Sequence, residues 1–159
     1  MAKVVVDNQS VVAPWRSRLL IIIAGVIAGI SWWVLTGLLE KFVIEPLACS
    51  SSDTLSACGD AIPISGSVAA VLTAVLMLIY LVMIRQARPI LIASGAAAVL
   101  WGLGLYTAGM QWYESLVWAV LLYVVVFLLF GVISRIRGVW SSLVVALLTV
   151  VIVRVLVAF

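Results

Sequence analysis

The sequence has no histidine and little charge: Lys and Arg total 9 and Asp and Glu total 6 among 159 residues. Without histidine the chain loses the commonest metal ligand and the side chain best suited to proton transfer near neutral pH. Its two cysteines, Cys49 and Cys58, cannot complete a tetrahedral zinc site alone. No metal and no cofactor is therefore expected. A Ser-His-Asp set, a phosphate-binding loop and a haem-ligating histidine are equally missing, so the chain reads as a non-enzyme. The net charge of +3 sits in arginines flanking apolar runs, which gives no sign of a nucleic-acid partner.

What is present is apolar. Hydrophobic residues make up 67% of the chain and charged ones 9%, against about 25% charged in a soluble domain. A chain this short cannot bury such an excess, because a small domain leaves much of its surface in its solvent. The solvent is expected to be a bilayer.

Five apolar runs, at about 17–39, 66–84, 90–109, 116–134 and 139–158, predict five transmembrane helices. Each approaches the roughly 20 residues needed to cross hydrocarbon. None alternates as a barrel strand does, and helices satisfy their own backbone in lipid. The first run exceeds the signal-peptide core of about 7–15 residues, so it is expected to stay as a helix. Pro89 predicts a helix end near Arg88, with Arg88 extended. The expected organisation is a cytoplasmic tail over 1–16 and one transmembrane helical domain over 17–159, with an extracytoplasmic loop over 40–65.

Charge sets the expected orientation. Arg16 and Arg18 precede the first run, Arg85 and Arg88 separate the second and third, and Arg135 and Arg137 separate the fourth and fifth. The alternate connections hold Glu40, Glu45, Asp53, Asp60 and Glu114, with Lys41 the lone basic residue. Basic residues in short loops stay cytoplasmic, which predicts an amino terminus inside and a carboxy terminus outside. Trp15 and Trp140 then fall at the inner interface, and Trp112, Tyr113 and Trp118 at the outer one. The six arginines are candidate contacts for anionic lipid headgroups.

Outside the cytoplasm, Cys49 and Cys58 are placed to form a disulfide. Closing so short a ring stabilises a loop by about 2–3 kcal/mol on the chain-entropy account. Their spacing is not Cys-x-x-Cys and no basic residue lies between them, so the pair is expected to be structural rather than redox-active.

Arg154 is the one ionisable residue well inside an apolar run. Snorkelling, an ion pair with Glu40, Glu45 or Glu114, or an anion site are its candidate roles. Small residues mark candidate close helix packing: Gly25 and Gly29, then Gly66, Ala70 and Ala74, then Ala98 and Gly102, then Ser142 and Ala146. The fourth run has almost none, so it is expected at the periphery, facing lipid or a partner. No prolines interrupt the runs and no glycine breaks are paired between halves, so a broken-helix site is not expected. Trp101 is expected to pack within the fold.

Together these observations predict a small polytopic bacterial inner-membrane protein acting as an interaction or accessory subunit, with a membrane protein partner or further copies of itself. A homo-oligomeric transporter, channel or lipid-handling protein is the first alternative. A thiol–disulfide relay component is the second.

Overall fold

In a computed structural model, the structure describes residues 14–48, 61–86, 88–107, 109–134 and 138–158. Every regular element among them is helical. Helix α1 spans Pro14–Leu39, and a π-helical turn over Glu40–Ile44 leads into α2, Glu45–Ala48. Helix α3 is Ala61–Met83, α4 Pro89–Leu100 and α5 Leu103–Thr107. Helix α6 is Trp112–Ile133 and α7 Val139–Ala158.

The stretches Arg18–Ile44, Ile64–Met83 and Trp112–Ile133 are long and apolar enough to cross a membrane. They correspond to the first, second and fourth expected spans. The apolar stretches of α4 and α7, Pro89–Leu100 and Trp140–Val153, are shorter.

Helices α1, α3, α4 and α6 form a closed ring in which each packs on the next and α6 packs back on α1; α7 lies outside it, against α4 and more lightly α6. The most extensive contact is between α1 and α6. This corrects the expectation that the fourth run is peripheral and the fifth belongs to the tight bundle. Tyr123, Phe127 and Phe130 of α6 are buried, whereas Leu143, Leu147 and Leu148 of α7 are exposed.

The reason lies in how α1 and α6 fit. A Cβ on Gly29 would sit 2.5 Å from the Val120 Cα, and one on Gly25 would sit 2.7 Å from the Val124 Cα. Small residues are needed on only one of two helices for the backbones to approach. In lipid, tight packing rather than exclusion from water holds helices together, so the bulky helix becomes the central partner of the glycine face. Elsewhere the ring closes over Ala69 and Ala70 of α3 and Ala93 and Ala96 of α4.

Three further expectations are corrected. The third run is not continuous: α4 stops at Leu100, Trp101 is extended at φ −59° and ψ 122°, and Gly102 takes φ +89° before α5 begins. The interval 40–65 is not all loop, because helix continues through the π turn to Ala48 and resumes at Ala61. At Arg88 the backbone is left-handed, φ 54° and ψ 59°, rather than extended. With Arg85 also at φ 51°, two left-handed residues reverse the chain between Met83 and Pro89.

Candidate functional site

The break at Trp101–Gly102 lies about 18 Å from the start of α4 at 1.5 Å per residue. A helix end leaves backbone carbonyls without intrahelical partners. At membrane depth such a backbone persists where protein shields it or where it lines a cavity. Glycine supplies the left-handed turn that a Cβ would oppose, and the Leu105 amide donates to the Gly102 carbonyl at 2.9 Å. A second left-handed glycine, Gly109 at φ +88°, follows α5.

Around this break lies an apolar groove of about 490 Å³, walled by Trp101 and Leu103 at the break, Trp118, Leu122 and Leu129 of α6, and Val153 of α7. Its volume falls in the range of roughly 300–1,000 Å³ usual for ligand pockets. Trp101 is half exposed and also lines a second groove with Val68, Val71 and Leu72 of α3. Its expected role in packing is thus replaced by a place between two grooves.

At the Glu40 end of the ring a further cavity of about 500 Å³ is lined by Trp32, Trp33, Thr36, Glu40, Thr107, Met110 and Trp112, among others. Trp32 is buried, and its Nε1 donates to the Gly66 carbonyl at 3.0 Å, tying α1 to α3. That carbonyl is reachable because Gly66 faces Gly104 and the Trp32 ring, 3.2 Å and 3.5 Å from where its Cβ would be. Trp33 and Trp112 stand with ring centroids 6.5 Å apart, and Trp112 meets Tyr113 edge-on at 5.8 Å. Thr107 and Met110 line both this cavity and the apolar groove, so the two are adjacent.

The residues singled out from sequence fall unevenly. Cys49 and Cys58 lie outside the described residues, as do the Arg135 and Arg137 turn and the side chains of Arg16, Glu45 and Arg154. The candidate ion pairs of Arg154 therefore have no described geometry. Glu40 lines the cavity, and Glu114 is exposed in the first turn of α6. Among the small residues, Gly25, Gly29 and Gly66 stand at helix contacts, Ala70 and Ala146 are buried, and Ala74 and Ala98 are half-buried. Ser142 is buried and donates to the Ile133 carbonyl at 3.1 Å, joining α7 to the end of α6. Gly102 serves the break instead of a helix contact.

At the other end of the ring Arg18 and Arg85 are exposed, while Arg88 Nη1 donates to the Gly138 carbonyl at 3.3 Å. Sequence reasoning passed over Trp32, Trp33 and Thr36, because an aromatic or hydroxyl residue inside an apolar run carries no local mark of facing a cavity. It also passed over Gly95, whose Cβ would strike the Phe130 ring at 2.5 Å.

The fold and these cavities define an all-helical chain with three membrane-capable helices packed through glycine contacts. Comparison with protein-family models, curated proteins and solved structures finds no match to this chain.

Proposed function

We propose that the protein is a multi-pass inner-membrane protein with five membrane segments, amino terminus inside, that holds the hydrocarbon chain of an amphiphile in the groove beside the broken segment. It is a lipid-handling protein with no catalytic chemistry of its own. The observation that carries this reading is the helix break opening onto a 490 Å³ apolar groove. A continuous helix would complete its own hydrogen bonds and close that space, whereas a break stands at membrane depth where the groove needs it.

The orientation is supported by the hydrogen bond from Arg88 to Gly138, which brings Arg88 and the start of α7 to one end of the ring. Glu40 and the start of α6 lie at the other end. The accessory-subunit reading rested on the missing catalytic residues and the stripes of small residues, and of those stripes Gly25 and Gly29 face α6 of the same chain.

The test is photolabelling in lipid nanodiscs with a lipid whose acyl chain carries a diazirine. Label is expected on peptides containing Trp118–Leu129, and filling the groove by Leu122→Trp should reduce it several-fold. Uniform label over every lipid-facing helix, unchanged in that variant, would refute the proposal.

A further inference from the structure

The groove holds a chain; the cavity joined to it selects a headgroup. We infer that the Glu40 cavity is a site for an organic cation, so that the amphiphile bound here carries a positively charged, alkylated or primary ammonium head. The inference rests on the reading of the groove above and adds the charge of its ligand.

Three observations converge on that charge. Glu40 is the one ionisable side chain among the described residues lining the cavity, and Lys41 next to it is exposed and not part of the lining. A carboxylate against low-dielectric walls attracts a cation more strongly than one in bulk water, and Glu40 is half-buried. Next, the lining is aromatic: Trp33 and Trp112 present accessible ring surface, and Trp32 is buried in the wall. Indole faces attract ammonium groups, and clustered aromatic rings are a recurring means of holding alkylated ammonium ions. The 6.5 Å spacing and 50° tilt of the Trp33 and Trp112 rings leave neither face stacked flat against the other.

The third observation concerns donors. Trp32 Nε1 gives its hydrogen to the Gly66 carbonyl, Thr36 Oγ1 donates to the Trp32 carbonyl at 2.8 Å, and Thr107 Oγ1 to the Leu103 carbonyl at 3.3 Å. These three lining groups have turned their hydrogens into the backbone. What they leave for a ligand is hydroxyl lone pairs, which suit a cation; the Trp33 and Trp112 Nε1–H groups and the Ser115 hydroxyl are further donors in the lining, so the sign of the ligand is set by the Glu40 carboxylate.

Position supplies the link to the chain site. Thr107 and Met110 border both cavities, so a head seated near Glu40 lies next to the space beside Trp118 and Leu122, with the Thr107 and Met110 side chains between them. The π turn Glu40–Ile44 forms the last turn of the apolar stretch Arg18–Ile44. π-helical turns recur at functional sites.

The experiment uses three photoreactive probes with the same dodecyl chain and a trimethylammonium, maltoside or sulfate head, applied to the full chain in nanodiscs. Label on the Trp118–Leu129 peptide is expected to favour the trimethylammonium probe by roughly ten-fold over the maltoside, consistent with a cation–π contact joined to an ion pair. Glu40→Gln and Trp112→Ala should each bring that preference close to parity while leaving maltoside labelling unchanged. Retained maltoside labelling shows that the variants are folded and the groove intact. Equal labelling by all three heads in the parent protein would overturn the cation site and leave the groove standing. Absence of groove label from every probe would overturn both.

Discussion

Replacing Gly29 by alanine adds a single carbon at the tightest point of the α1–α6 contact. That carbon would lie 2.5 Å from the Val120 Cα, 2.9 Å from its nitrogen and 3.1 Å from its Cγ2. Comfortable carbon–carbon contact begins near 3.5 Å, so the helices must separate by roughly 1 Å or the backbone of α6 must bend. Separation loosens the Gly25–Val124 contact one turn away as well, because both glycines lie on one face of α1. Overpacking of this kind costs about 1–3 kcal/mol.

Gly37, on the same helix, has nothing within 4 Å of its would-be Cβ and serves as the control. There alanine should be neutral or stabilise by up to about 1 kcal/mol through helix propensity. The assay is unfolding in mixed micelles of rising sodium dodecyl sulfate fraction, followed by circular dichroism. Gly29→Ala is expected to lower the midpoint and Gly37→Ala to hold or raise it. Adding Val120→Ala to Gly29→Ala should restore little, because the two nearest atoms belong to the backbone. Equal shifts for the two glycines, or full rescue by Val120→Ala, would refute the packing account.

Two other substitutions test the ring. Trp32→Phe keeps most of the buried ring but removes the Nε1 donation to the Gly66 carbonyl, which keeps its place in the α3 hydrogen-bond ladder; a loss of about 0.5–1.5 kcal/mol is expected in the same titration. Tyr123→Phe should do the opposite: its buried hydroxyl has no hydrogen-bond partner among the described residues, so removing it should leave stability unchanged or raise it by about 1 kcal/mol. A large loss in Tyr123→Phe would reveal a partner for that hydroxyl.

Much of the scaffold was readable from composition and run length. The expected spans at 17–39, 66–84 and 116–134 overlap α1, α3 and α6, because twenty or so apolar residues without strand alternation leave helix as the form that satisfies its own backbone. The reversal between Met83 and Pro89 followed from the proline, although the left-handed backbone at Arg88 did not. Ala98-x-x-x-Gly102 was read as a packing stripe, and one of its members turned out to terminate a helix. A glycine within an apolar run permits close approach and positive φ equally, so spacing does not separate the two. The cavity at Glu40 was illegible for a different reason. It is assembled from α1, the segment following α5 and the start of α6, and no local pattern joins positions so far apart.

What the sequence determined by itself is the class of structure and its solvent: helices, apolar on all faces, with charge, Arg154 apart, gathered at the ends of the runs. That uniform hydropathy also marks no face as inward, so the identity of each helix's neighbours was left to the tertiary structure. There the choice is steric. Glycines on α1 admit the valine-bearing face of α6 while α7 stays outside, and Gly102 opens the third run into a groove. Size and backbone freedom act between residues distant in the chain, and they take effect once the helices are brought together.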